Sequence, residues 1–182
     1  MSARAVVAKG GFQCTQPARL LPTGALHFNS WMSSRVVVAG LAVGSVAWFA
    51  LVVLAPELPP ALAAAVYGIG GVVCHQRPER SFHWHSAQLA VCARCTGLYL
   101  GACATAIVAP LPPSLYADWP GSPARIARLL AVTALPMAAT VAAEWAGVWA
   151  PSSLVRAGTG VLLGAAGALV VAAALGRANA AK

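Results

Sequence analysis

Residues 36–55 read VVVAGLAVGSVAWFALVVLA, an unbroken apolar run without a single charge. About 20 helical residues at 1.5 Å each cross the roughly 30 Å hydrocarbon core of a bilayer. The run ends at Pro56-Glu57-Leu58-Pro59-Pro60, because proline cannot continue a helix interior. The rest of the chain is of the same kind. Of 182 residues, 59% are hydrophobic and 9% charged, with a mean hydropathy of +0.74. A soluble domain carries about 25% charged residues. So few charges cannot cover a water-facing surface of this size, and the composition points to an integral membrane protein. Twelve basic residues against 4 acidic ones give a net charge of +8. That balance would suit nucleic acid only if the basic residues gathered on one polar face. Here they punctuate apolar runs, so the expected partner is the lipid bilayer and not nucleic acid.

Four more apolar segments follow, at about Pro60–Val73, Thr96–Ala109, Ile126–Ala143 and Ala157–Leu175. Chain in lipid must satisfy its own backbone hydrogen bonds, which leaves helices once the alternation of a barrel is absent. The expected fold is therefore all-α: a polytopic transmembrane helical bundle of about five helices. It has four if the second segment, short and Gly-rich (YGIGGVV), is re-entrant. Pro136 predicts a kink in the fourth helix. Residues 1–34 read as a disordered N-terminal extension, with Met32 a natural start for the membrane part and Cys14 given no role. Residues 35–176 read as the membrane domain and residues 177–182 as a short tail. The expected location is the inner (plasma) membrane of a bacterial cell, crossed several times. Five spans with the N-terminus inside put Arg35, Arg77, Arg80, Arg94 and Arg156 on one side, and everything after the second segment flips if that segment does not cross. Small residues four apart (Gly40/Gly44, Gly97/Gly101, Gly160/Gly164) offer faces for close helix packing, for a homo-oligomer or for a membrane partner. Trp119, Tyr116, Trp145 and Trp149 flank segments as interfacial residues, and Cys103 reads as a packing residue.

The chemistry concentrates in the loop 74–97, CHQRPERSFHWHSAQLAVCARCTG, which holds 3 of the 5 Cys and 3 of the 4 His. Cys92 and Cys95 have the two-residue gap that lets two thiolates face one ion. Cys74, with a histidine among His75, His83 and His85, can complete a tetrahedral set. Soft thiolates with imidazole suit zinc, with copper or iron–sulfur as rivals. The candidate metal ligands are Cys74, His75, Cys92, Cys95 and His83. Thr96 is placed to cap the third helix, and Cys95, near that helix's positive end and beside Arg94, is expected to have a lowered pKa. Arg77, Arg80 and Arg94 can balance a thiolate centre or hold an anionic lipid headgroup. Glu144 and Arg156, at facing ends of the fourth and fifth segments, are ionisable at membrane depth. They read either as functional groups or as caps of two helices joined by a turn.

This stretch resembles the signature of a bacterial family of small predicted integral membrane proteins, a domain of unknown function. That signature runs Cys-His-Gln-x-Pro-x-Arg-Ser-Phe, then Gln-x-Pro-x-Cys-Ala-Arg-Cys-Thr-Gly. Cys74, His75, Gln76, Pro78, Arg80, Cys92, Arg94, Cys95, Thr96 and Gly97 match it, and Ala90 stands where the family has proline. A later stretch, SSLVRAGTG, is similar to the family's Ser-Asn-x-x-Arg-x-x-Thr-Gly at Arg156, Thr159 and Gly160, with Ser153 in place of asparagine. The resemblance covers about Ala61 to Ala172. It implies the protein class and brings no activity.

Three readings follow. The first is a zinc site at the membrane surface, structural or used in metal handling. The second is a membrane thiol–disulfide oxidoreductase using Cys92 and Cys95, with Cys74 exchanging and a quinone as electron acceptor, which requires the loop to face an oxidising compartment. The third is a non-catalytic scaffold or lipid-binding protein. Covalent haem needs a histidine directly after the second cysteine, where Thr96 stands. No phosphate-cradling Gly loop precedes a lysine, and there is no nucleophile elbow or paired-carboxylate site. An enzyme of those classes is not expected.

Overall fold

The computed structural model describes residues 34–108 and 122–180. The N-terminal extension, Cys14, Tyr116 and Trp119 lie outside them. The described chain is helical with one small sheet. Helix α1 spans Ser34–Leu54, α2 Pro60–Val73, α3 Ala93–Val108, α4 Pro123–Trp145 and α5 Ser153–Ala180. The all-α expectation holds, and α5 runs on beyond residue 176. Three segments are long and apolar enough to cross a membrane: Val36–Glu57, α4 and Ser153–Leu175. Helices α2 and α3 are shorter apolar helices. Helix α4 continues through Pro136, and Ser122 caps it by accepting from the Arg125 N–H. The stretch read as a loop folds instead as a hairpin of β1 (Ser81–Trp84) and β2 (Ala87–Cys92), followed directly by α3.

Helices α3 and α5 run parallel, pressed backbone to backbone. A methyl group added at Gly97 would lie 2.0 Å from the Ala157 carbonyl, and one at Gly164 would lie 2.0 Å from that of Leu98. Gly101 and Gly160 are equally close to the facing backbone. Two of the three small-residue pairs thus meet each other inside the molecule, where lipid offers no hydrophobic force and close van der Waals contact must hold helices together. A methyl group added at Gly40 or Gly44, the third pair, would meet no facing atom within 4 Å among the described residues.

Helix α1 runs antiparallel to α3. Trp48 packs edge-on against Tyr99 near the start of α3, with ring centroids 6.1 Å apart, and Val38 shares a groove with Ala106 near its end. A spanning α2 between them would have made α1 and α3 parallel. Instead α2 begins and ends at the hairpin. Glu57, just before α2, meets His85 at the hairpin turn, and Val66 and Gly70 pack on Ala90 and Val91. Helix α2 thus lies along the hairpin at one end of the bundle, and Arg35, at the start of α1, is at the opposite end from Arg77 and Arg94. Val52, Ala55, Val66, Cys74, Ala90 and Val91 form a small buried core at this end.

Candidate metal centre

Cys74 closes α2: its N–H still reaches the Gly70 carbonyl at 2.9 Å, and the chain then turns into extended backbone. Its sulfur receives two backbone N–H groups, from Gln76 at 3.4 Å and Cys92 at 3.1 Å. Donors of this kind disperse charge on a ligating sulfur. The turn works because Gln76 adopts φ +48, a region unfavourable for a side chain other than glycine. The surrounding bonds hold it there. Its Nε2 donates to the carbonyls of Tyr67 and Ala90, each at 2.7 Å, and its own carbonyl accepts from Gln88 Nε2 at 2.5 Å. The Tyr67 hydroxyl donates to the Gln88 carbonyl. Gly70 makes this approach possible, since a methyl group there would lie 2.7 Å from the Ala90 carbonyl. Tyr67 is a support the sequence did not single out, and Gln88 stands at the glutamine of the Gln-x-Pro-x-Cys stretch.

The hairpin carries the second ligand. His85 and Ser86, at φ 45 and 67, form its two-residue turn. Two successive left-handed residues are the turn whose twist matches a hairpin. The register slips between Ser81 and His83, and Cys92 ends up opposite Ser81. Helix α3 starts one residue later, so Cys95 lies in its first turn. Thr96 is not the cap: its hydroxyl sits inside the helix and donates back to the Cys92 carbonyl at 3.1 Å.

The three sulfurs of Cys74, Cys92 and Cys95 all lie within 4.8 Å of one another, and those of Cys92 and Cys95 are 3.7 Å apart. A tetrahedral zinc with Zn–S bonds of about 2.3 Å separates its sulfurs by about 3.8 Å. The Cys92–Cys95 pair already has that edge, and Cys74 needs only a small inward shift. The donor set therefore fits a soft divalent ion. Cys92 and Cys95 share a proton. The hydrogen bond from Cys95 brings the Cys92 thiol down to about 5, against some opposition from burial. The same contact holds the Cys95 thiol far above its ordinary value, with burial adding to it. The two sulfurs, 3.7 Å apart, thus titrate as a pair in which one thiol is lowered and the other raised.

The histidines divide. His75 is exposed but lines the cavity onto which the thiols open. His83 is exposed on β1, paired in register with Gln88, and does not line that cavity. His85 sits at the turn, with Nδ1 3.3 Å from Glu57. Of the expected histidine ligands, the structure brings only His75 to the sulfurs' cavity.

Beside the thiols lies a second cluster. Glu144, at the end of α4, accepts from Arg94 at 2.8 Å on Oε2 and from Arg156 at 2.8 Å on Oε1, and Arg80 Nε makes an ion pair with Oε1 at 3.0 Å. Arg156 also donates to the Glu79 carbonyl at 3.3 Å. Arg94 and Arg156 are buried, and Glu144 is half-buried with its side chain 9% exposed. Glu144 and Arg156 are therefore not caps of a helical turn: they join α4 and α5 to α3 and the turn before β1. Thiols and arginines face one cavity of about 300 Å³, walled on the α4 side by Val141 and Trp145. Cys103 is buried on α3, away from this cavity.

A family model described as "Predicted membrane protein (DUF2085)" matches residues 74–170, more than half of the sequence, and the chain belongs to that family. It is similar to an uncharacterized protein of Methanocaldococcus jannaschii, 39% identical over 49 residues, covering 27% of this chain and 31% of the relative. An uncharacterized protein of Methanothermobacter thermautotrophicus is 46% identical over 44 residues, covering 24% of this chain and 40% of the relative. The chain thus matches less than half the length of either relative, and both come from archaea, not bacteria. No solved structure matches.

Proposed function

We propose that this membrane protein binds one zinc ion at the hairpin end of its bundle, through the thiolates of Cys74, Cys92 and Cys95. His75 or water takes the fourth position. The observation that carries the reading is the meeting of three sulfurs within 4.8 Å, delivered by the end of α2, the end of β2 and the first turn of α3. Thiolate-rich sets of this kind select zinc over harder ions, with copper(I) and iron–sulfur as the competing occupants. A site with three protein ligands keeps a position free, which suits metal handling; a fourth protein ligand would make the ion a structural clamp on the hairpin.

A second reading has its own support. Cys92 is held near pKa 5 beside a protonated partner, the arrangement of an attacking thiolate. It requires the hairpin to face an oxidising compartment, where a thiol–disulfide exchange enzyme has its oxidant. A scaffold role needs neither property.

Elemental analysis with free-thiol counting on the detergent-purified full chain separates these readings. About one zinc per chain, lost in a Cys92→Ala/Cys95→Ala variant, supports the metal reading. A metal-free protein with a Cys92–Cys95 disulfide supports the redox reading and overturns the first. Neither metal nor disulfide leaves the scaffold reading.

A further inference from the structure

The arginine cluster carries more positive charge and more hydrogen-bond donors than the protein answers. Arg77, Arg80 and Arg94 line the 300 Å³ cavity, and Arg156 stands behind Glu144. Against these four guanidinium groups stand two carboxylates, Glu144 and the exposed Glu79, and the thiol cluster that lines the same cavity, so the arginines outnumber the carboxylates two to one. A guanidinium offers five N–H donors in a planar fork. The two oxygens of Glu144 are already taken by three such forks. Arg94 and Arg156, 8% and 6% exposed, each bury an Nε that has no partner among the described residues. A buried donor left unsatisfied is costly, and so is a buried charge without its counter-ion.

We infer that this cavity is an anion site that takes a phosphate group, held by Arg77, Arg80 and Arg94. Phosphate supplies negative charge and several acceptor oxygens to the N–H groups of these three arginines, in the geometry to which a guanidinium fork binds with two parallel hydrogen bonds. His75 lines the same cavity and adds a donor. The opposite wall is apolar, made by Val141 and by Trp145, which is 82% exposed at the end of α4. That pairing of a cationic floor with an apolar wall admits two sources of the phosphate, the headgroup of an anionic phospholipid and a phosphate from water. The arginines share this cavity with the proposed metal ligands, so zinc is measured alongside the anion response.

The test uses the full chain in phosphatidylcholine nanodiscs and follows its thermal unfolding. One arm titrates inorganic phosphate at constant ionic strength against chloride. The other replaces part of the phosphatidylcholine with phosphatidylglycerol. Saturable stabilisation in the first arm identifies a soluble phosphate, and stabilisation in the second alone identifies a lipid headgroup. Arg77 is exposed, paired only across 3.9 Å with exposed Glu79, so Arg77→Gln leaves the fold intact. It is expected to weaken the response about fivefold. Arg125→Gln, at the far end of α4, leaves the response unchanged. No response in either arm, or equal loss in both variants, overturns the inference. Zinc content measured on the same samples shows separately whether the metal reading stands.

Discussion

The seam between α3 and α5 and the hairpin module beside it are held together by opposite means. Along the seam glycines remove their own side chains so that two backbones touch, as at Gly97 on Ala157 and Gly164 on Leu98, and a single side-chain hydrogen bond, from Thr105 to the Ala165 carbonyl at 3.4 Å, is recorded across it among the described residues. In the hairpin module the joints are polar. Gln76 ties α2 to β2 with two hydrogen bonds of 2.7 Å, and Glu144 gathers three arginines from distant parts of the chain. The difference follows from solvent. In lipid, apolar side chains gain nothing by leaving the tails, so contact distance decides. At the end of the bundle, buried donors and acceptors must find each other, and a few side chains acquire large effects.

The largest expected effect is on the seam. Gly97→Leu drives a side chain into backbone that cannot yield, and should cost more than about 5 kcal/mol. It should be seen as loss of monodisperse protein in detergent, and a well-folded variant would show that the seam is not what joins the helices. Glu144→Gln comes next. It removes the only carboxylate reaching Arg94 and Arg156 among the described residues, and a broken buried ion pair costs about 3–5 kcal/mol. A thermal midpoint equal to wild type would mean the arginines are compensated elsewhere. A smaller effect concerns Cys92 in metal-free protein. Because its pKa is lowered, the thiolate persists from neutral pH down to about 5 and is lost below that. Its alkylation rate should therefore stay nearly flat over the first interval and fall about tenfold per pH unit beneath it. A rate already falling near pH 8, the ordinary thiol range, would refute the shared proton. The smallest effect is the seam's control. Gly40→Leu meets open space and should change stability by no more than about 0.5 kcal/mol. A large loss there would mean that α1 packs against something further, such as a second copy of the chain.

The bundle was readable because its information is local. A charge-free run, a proline boundary and glycines four apart are each visible in a short window, and the five segments fall where the helices are. The hairpin was not readable. Its turn residues, His85 and Ser86, lack the Asn-Gly or Gly pair that normally announces two left-handed positions. Its β2 stretch AQLAVC is too uniformly apolar to show a clear alternation. The clustering of Cys74, Cys92 and Cys95 was visible in their spacing, since two lie three apart and the third sits beside a helix end. Which histidine shares their cavity was not, because His75, His83 and His85 differ only in where the hairpin carries them. The pairing of Glu144 with Arg94, 50 residues away in sequence, is a product of tertiary packing. So is the antiparallel course of α1 and α3, with α2 lying against the hairpin.

The central claim is that three elements converge to make a thiolate metal site. Titrating cobalt(II) into reduced, metal-free protein tests it most directly, because cobalt replaces zinc and reports thiolate ligation by a sulfur-to-metal charge-transfer band in the near ultraviolet. The expected result is one cobalt per chain, with a band that is displaced by zinc and reduced in Cys74→Ser as in Cys95→Ser. A chain that binds no cobalt, or whose band survives both substitutions, contradicts the account.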